Sequence, residues 1–194
     1  MPSTRDVRAR LQRALDKQQL VRIERSLPFA YRDDVYVLAI GEKWFLTIRV
    51  VDGGYFDGYE AMRLRDLKRV WRQRHFDEQT STQLNPWPPS QPERKIELDS
   101  TRGLVLSVGA SDVVFGIEKE RQRSAMWIGT LDEVAGGMVW LNELDMKARW
   151  SKDPRGYKVA KITAVTWGGR YMAALERSAG AKPAPSPRLG ESAE

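Results

Sequence analysis

The feature that most restricts the fold of this chain is an apolar pattern that occurs twice, 94 to 95 residues apart. Three pairs of segments carry the pattern: 23–25 with 117–119, 44–48 with 139–144, and 62–71 with 157–166. The alternation of apolar and polar positions is similar within each pair. Because the pairs keep their order at a nearly constant offset, the sequence predicts an internally duplicated module.

Each copy of the pattern predicts a helix followed by about five short strands. In the first copy, a capping-box start at Ser3 and an apolar stripe through Val7 and Leu11 indicate a helix that ends near Gln18. A weaker helix over 99–110 begins the second copy, and a last helix covers 170–177. The predicted strands are 20–23, 35–40, 44–51, 59–64, 68–71, 113–118, 126–134, 138–144, 156–159 and 162–167.

Two segments lack the apolar residues that a core needs. Residues 77–95 contain four of the ten prolines, which is typical of an extended, polyproline-like connector. Residues 178–194 are rich in Ala, Pro, Ser and Gly, which predicts a disordered tail. The expected organisation is a first repeat over 1–76, a Pro-rich connector over 77–98, a second repeat over 99–177 and the tail over 178–194.

The short strands favour small barrels over a sandwich of two large sheets. Five strongly bent strands in about 75 residues can close on themselves and fill the interior with alternating apolar side chains. We therefore expect a mainly β (α+β) protein made of two tandem small β-barrels, each entered through a helix.

One pair of segments resembles a known family. Gly129-Thr130-Leu131, followed by Val139-Trp140-Leu141, resembles the bend between strands two and three of Sm/Lsm-like (Hfq-like) proteins, and Src-homology-3-like barrels are the near alternative. The Asp and Asn of the Sm nucleotide pocket have no clear counterpart, and Val70-Trp71 and Val165-Thr166 stand where Hfq has Tyr-Lys-His. The doubled pattern also resembles that of bacterial proteins with no assigned activity.

The resemblance carries an expectation about strand pairing. In Sm-like barrels, strand four pairs with strand five of the neighbouring barrel. The resemblance therefore implies that two fused barrels pair internally, which leaves a monomer or a ring of six barrels from three chains.

Composition excludes most enzyme chemistries. The chain has 194 residues, no cysteine and one histidine, His75, so disulfides, thiol catalysis, multi-histidine metal sites and a local Ser-His-Asp triad lack their residues. No apolar stretch is long enough for a membrane span, and the first residues have no signal-peptide core. We expect a cytoplasmic, non-enzymatic protein with no membrane association, no cofactor and no metal.

Positive charge is concentrated before residue 96, where 18 basic residues face 13 acidic ones, against 14 and 13 afterwards. Arg63 and Arg65 alternate with Leu64, which predicts that both point outward from a strand. With the nearby Tyr59, the cations could hold RNA or single-stranded DNA; an ordinary solvated face is the alternative. The candidate nucleic-acid residues are Arg63, Arg65, Lys68, Arg69, Arg72, Arg74 and Tyr59, with helix cations Arg5, Arg8, Arg13 and Lys17 in support.

Three aromatic residues suggest a second class of function. Tyr55 and Phe56 lie in the Gly- and Asp-rich segment 52–60, and Trp87 lies among the prolines of the connector. They are candidates for binding a protein partner or for self-association. The structural alternative is that the segment is a hairpin with positive φ angles and that Trp87 pins the connector onto a barrel.

Overall fold

The fold consists of ten strands and four helices. The computed structural model describes residues 4–28, 32–74, 76–110, 112–121 and 126–182. The helices are α1 (Thr4–Asp16), α2 (Phe76–Leu84), α3 (Thr101–Gly109) and α4 (Arg170–Ala179). The strands are β1 (Val21–Arg25), β2 (Arg32–Ile40), β3 (Trp44–Val51), β4 (Tyr55–Arg63), β5 (Leu67–Arg72), β6 (Phe115–Lys119), β7 (Trp127–Ala135), β8 (Met138–Leu144), β9 (Arg155–Lys158) and β10 (Ile162–Trp167).

The local elements follow the apolar periodicity of the sequence. Strands β3, β8 and β10 have the bounds that the pattern predicts, and α1 buries the predicted stripe through Val7 and Leu11. Gly53 and Gly54 have φ angles of 84° and 87° in the turn between β3 and β4, the left-handed region that glycine adopts without steric cost. The segment 52–60 is thus a hairpin turn that leads directly into a strand.

All ten strands belong to one antiparallel sheet, in the order β5-β1-β2-β3-β4-β10-β6-β7-β8-β9. We call β1–β5 the first strand set and β6–β10 the second strand set. In both sets, the last strand lies beside the first, and the others follow in chain order. The pairing also shifts register at matching places, between Val37 and Ala39 in β2 and between Leu131 and Glu133 in β7.

The mainly β class is confirmed, but two separately closed barrels are not what the sheet forms. Residues 59–62 of β4 pair with residues 164–167 of β10, so hydrogen bonding continues from one strand set into the other. Among the described residues, β5 and β9 are the ends of an open sheet. A closed five-stranded barrel needs β5 to pair with β4 as well as with β1. A 3-10 turn at Leu64–Asp66 separates β4 from β5, so β5 pairs with β1 and not with β4.

The two strand sets share one hydrophobic core. Tyr36 and Trp44 of the first set pack in the same buried cluster as Leu104 of α3 and Phe115 and Val165 of the second set. A second cluster lies under α1 and joins it to β1, β2 and β5. The helix covers one side of the first set and reaches the end strand of the sheet.

Charged side chains also join the strand sets. Arg25 in β1 donates to Glu118 in β6 at 2.8 Å, although four strands separate β1 from β6 in the sheet order. The sheet must therefore curve strongly. Arg63, at the end of β4, pairs with Asp66 at 2.6 Å and with Glu120, just after β6, at 3.0 Å.

The first part of the connector is helical, not extended as expected. Helix α2 covers Phe76–Leu84, which precedes the first proline of the connector, and carries acidic residues in its first turn, where the helix dipole favours them. Ser81 is fully buried and lies 2.7 Å from the Tyr36 hydroxyl, and Asn85 donates to the carbonyl of Gly54. The connector thus packs against the first strand set.

The predicted tail over 178–194 overlaps the last helix of the structure. Helix α4 continues to Ala179, so the expected tail begins inside a helix. Residues 183–194 and His75 lie outside the described residues.

Replacement of Glu120 tests the charged junction. Glu120→Gln is expected to lower the free energy of unfolding at pH 7 by about 1–2 kcal/mol, because the buried Arg63 keeps one carboxylate partner instead of two. Hydrogen bonds from Lys161 and Arg63 lower the pKa of Glu120 to about 2, against an ordinary 4.5. The stabilisation is therefore complete above about pH 4.5 and is lost as the pH falls from there towards 2.

Urea denaturation at a series of pH values measures the difference. Glu176→Gln, at an exposed position of α4, is the matched control and is expected to change stability little. Equal stability of Glu120→Gln and the original chain at pH 7 would show that the junction does not depend on this carboxylate.

Candidate nucleic-acid interface

The candidate cations separate into two groups in the structure. Arg63 and Arg65 lie at the junction of the strand sets, where both pair with Glu120. The expected outward orientation of Arg63 is wrong: its side chain is 6% exposed and also donates to the carbonyl of Ala160. The reason is that β10 and its preceding turn cover the end of β4. Arg65 lies in the 3-10 turn and is 65% exposed.

The remaining candidate cations lie on or next to β5, the end strand of the sheet. Lys68 pairs with Glu24 at 2.7 Å, and Arg72 pairs with Glu78 at 3.1 Å. Arg69 and Arg74 are exposed. This second group therefore retains more open positive charge than the first.

A groove of about 400 Å³ runs between α1 and β5, beside the contact that the two elements make. Cations line both sides of it: Arg10, Arg13 and Lys17 from α1, and Arg72 and Arg74 from the β5 side. Trp71 of β5 also lines the groove, and no carboxylate belongs to the described lining. The described lining residues are Arg10, Arg13, Ala14, Lys17, Gln19, Val21, Val70, Trp71, Arg72 and Arg74.

The sequence of α1 explains one side of this groove. Arg10, Arg13 and Lys17 are three and four residues apart, so they fall along one stripe of the helix. The apolar stripe through Val7 and Leu11 faces the sheet and fixes the rotation of the helix. The cations are therefore held beside β5 without being buried.

The backbone of β5 explains the other side. The amide of Gln73 donates to the carbonyl of Leu20, so these two residues form a hydrogen-bonded pair at the end of the β5–β1 ladder. Hydrogen-bonded and non-hydrogen-bonded pairs alternate along an antiparallel ladder. The N–H and C=O groups of Val70 and Arg72 therefore point away from β1, towards the free edge of the sheet. Arg10 donates to the Val70 carbonyl at 3.3 Å and so covers part of this edge.

A second pocket, of about 500 Å³, adjoins Trp71 and β5. Its described lining consists of Arg10, Glu24, Arg32, Arg69, Val70 and Trp71. The Arg32 guanidinium lies 5.8 Å from the centre of the Trp71 ring and 3.3 Å from Glu24. Unlike the groove, this pocket contains a carboxylate.

The aromatic candidates lie away from these two sites. Tyr59 stacks on Trp167 with ring centres 5.7 Å apart, and it does not line the groove. Trp87 and Phe56 both pack edge-on against the buried Tyr36, at 5.2 and 5.9 Å, which agrees with the pinning alternative for Trp87. Tyr55 is 46% exposed, with the Arg170 guanidinium 5.9 Å from its ring centre.

A cluster of buried charges lies inside the curve of the sheet. Arg25 pairs with Glu118, and Arg49 lies 4.0 Å from Glu60, which is 4% exposed. Burial, together with the negative charges of Asp33 and Glu118, raises the pKa of Glu60 to about 8. The cluster connects the strand sets and adjoins neither the groove nor the Trp71 pocket.

The sequence indicated some of these site residues and missed others. The concentration of basic residues in the sequence identified Arg72 and Arg74, and the polar side of the first helix identified Arg13 and Lys17. The sequence prediction missed Arg10, which the helical spacing from Arg13 and Lys17 could have identified. It also missed the contribution of Glu24 and Arg32, because only the order of the sheet places β1 beside β5 and β2 on the other side of β1.

Comparisons with protein-family models, curated proteins and solved structures found no match. Within the described part of the chain, no group of three or more His, Cys, Asp and Glu side chains is arranged to hold a metal ion. No helix there has the length and apolar character needed to cross a membrane.

The buried Glu60 generates a prediction about pH. Because its pKa is raised to about 8 in the folded state, the folded chain holds a proton that the unfolded chain releases above about pH 4.5. This group therefore costs stability progressively as the pH rises from about 4.5 to 8, by at most roughly 1.4 kcal/mol per pH unit. Glu60→Gln removes that cost.

Urea denaturation of the two proteins at several pH values between about 5 and 8 measures the effect. The stability of Glu60→Gln relative to the original chain is expected to rise with pH. Glu42→Gln, at an exposed position, is expected to show a constant difference. A constant difference for Glu60→Gln as well would contradict the assignment of a buried, protonated Glu60.

Proposed function

We propose that this protein binds single-stranded nucleic acid, RNA or DNA, without catalysing a reaction, through the groove between α1 and β5. The observation that carries the proposal is the groove itself: five cations and Trp71 line it, with no carboxylate in its described lining. A lining of this kind attracts a polyanion from both sides. Release of the counterions condensed on the strand supplies the free energy of such binding.

Trp71 favours a single strand over a duplex. Trp71 is half-buried and lines both pockets. An unstacked base can lie on such a ring, and base–aromatic stacking contributes about 1–3 kcal/mol per base. In a duplex, both faces of a base are already stacked.

The position of β5 supports a site in the first strand set only. We infer that the two strand sets are copies of one Sm-like unit, since their strand orders match and their register shifts occur at corresponding places. In the second set, the counterpart of β5 is β10, whose six residues are all buried between β4 and β6. A groove along β10 would have no access to solvent.

Salt dependence is the direct test of this function. Fluorescence polarisation of labelled single-stranded RNA and DNA is expected to show binding that weakens steeply between about 50 and 200 mM salt. The triple variant Arg13→Gln, Lys17→Gln, Arg74→Gln removes three groove cations at exposed positions. It is expected to weaken binding at low salt and to reduce the log–log salt slope by up to about 2, at roughly 0.7 per phosphate contact.

A matched control removes the same charge elsewhere. Lys147→Gln, Lys152→Gln and Arg177→Gln lie at exposed positions outside the groove. The control is expected to keep the slope and most of the affinity. Equal losses of affinity in both triple variants would show that binding depends only on net charge. Absence of binding at low salt would reject the function.

A second candidate function is assembly between copies of this chain through β5 and β9. It is favoured by one observation: in strand order, these two open edges correspond to β10 and β4, which pair inside the chain. Val70 and Gly156 are the counterparts of Val165 and Ala61, which are partners in that pair. Cations on both edges, including Arg69, Arg72, Arg155 and Lys158, oppose such a contact at low salt.

Light scattering at low and high salt distinguishes the two functions. Because salt screens the repulsion between basic edges, assembly is expected to strengthen with salt, which is opposite to nucleic-acid binding. A closed assembly such as a trimer at high salt would support this second function. The mass of one chain under both conditions would reject it.

A further inference from the structure

The pocket that contains Glu24 differs from the neighbouring groove in one chemical respect. The groove offers cations and an aromatic ring, whereas the pocket adds a carboxylate beside the same ring. Cations bind the phosphates of a strand whatever its base sequence, but a fixed hydrogen-bond acceptor can distinguish one base from another. Trp71 lines both sites, so a base on its ring lies within reach of both kinds of group.

Glu24 has one carboxylate oxygen that accepts no hydrogen bond from the described residues, and in the proposed complex the movement of Arg32 exposes this oxygen to the base. Its Oε1 accepts from Lys68 at 2.7 Å, while Oε2 is buried and has no hydrogen-bond partner in the described part of the chain. The hydrogen bond from Lys68 also lowers the pKa of Glu24, so the carboxylate is ionised at neutral pH. Arg32 lies 3.3 Å from Oε2 as an ion pair without hydrogen-bond geometry.

We propose that this pocket binds a guanine base of the strand, with the base on Trp71 and its N1–H and N2–H donors directed at Glu24. The proposal rests on the nucleic-acid function proposed above. Guanine is the base whose Watson–Crick edge presents two adjacent N–H donors, which a carboxylate accepts together. The pocket volume of about 500 Å³ accommodates a base with its sugar.

The other bases place an acceptor against the same carboxylate. Adenine has a donor beside the N1 acceptor, cytosine has a donor beside N3, and uracil has N3–H between two carbonyls. Each would direct a lone pair at Glu24, so repulsion between acceptors adds to the attraction for guanine in selecting the base. The preference for guanine therefore arises because the Glu24 carboxylate repels any base that places an acceptor beside it.

Arg32 and Arg69 complete the site. The side chain of Arg32 is 61% exposed and lies over the Trp71 ring, at the position that a stacked base would occupy. In the proposed complex, Arg32 moves from Trp71 and Glu24 to the phosphate of the bound nucleotide. Arg69, which is exposed in the same pocket, binds that phosphate from the other side.

Strands that differ in a single base test the proposal. Labelled oligouridine with one central guanine, hypoxanthine or adenine is titrated with the full chain and followed by fluorescence polarisation. Hypoxanthine keeps N1–H but lacks the N2 amine, so the expected order of affinity is guanine, hypoxanthine, adenine. A bidentate contact of this kind predicts at least about fivefold tighter binding of the guanine strand than of the adenine strand.

Glu24→Gln separates base reading from electrostatics. The substitution removes a negative charge from a basic surface, so affinity for the adenine strand is expected to stay constant or rise. The preference for guanine is expected to disappear, because the Gln amide directs its own donors at the base. Glu78→Gln, which removes a carboxylate paired with Arg72 at the groove, is the matched control and is expected to keep the preference.

The outcomes distinguish this proposal from the function on which it rests. Equal affinity for the three strands, with salt-dependent binding intact, overturns guanine reading and leaves phosphate binding in place. Absence of binding to every strand overturns both. Competition assigns the source of the base: displacement by guanosine monophosphate near the strand's Kd indicates a free nucleotide, and displacement only at far higher concentration indicates a strand.

Discussion

The pairing of β4 with β10 is the interaction on which the rest of the structure depends. It joins two strand sets into one sheet, and it satisfies backbone groups that would otherwise form two more open edges. Because the sheet continues through this pair, residues from both sets can bury one core around Trp44, Phe115 and Val165. The same pairing leaves β5 and β9 at the ends of the sheet, and so decides which strand lies open beside α1.

The position of each charge in this sheet determines what it can do. Cations at the junction meet carboxylates of the other strand set, as Arg25 meets Glu118 and Arg63 meets Glu120, and they hold the sheet together. Cations at the end strand meet fewer carboxylates. A count of basic residues along the chain cannot separate these two groups, since Arg63 and Arg74 belong to the same run of sequence.

Trp71 connects the two proposed binding roles. It lies on the end strand between a groove lined by cations and a pocket that adds Glu24, so a strand bound there would meet phosphate contacts and a base acceptor within a short distance. The last strand of the second set, β10, is buried along its whole length, so the proposed binding is assigned to the first strand set alone. An excess of positive charge before residue 96 is consistent with that role.

Much of the local structure was determined by the sequence itself, because strand and helix periodicities are local properties. The bounds of β3, β8 and β10 and the buried stripe of α1 follow from short apolar patterns. The sequence did not reveal that α2 is a helix, because it packs through Ser81 and Asn85 instead of an apolar stripe. Only the tertiary structure decided that Arg63 is buried, that Glu24 adjoins Trp71, and that the sheet stays open at β5. Each of these depends on which strand edges pair, and pairing joins residues that are far apart in the chain.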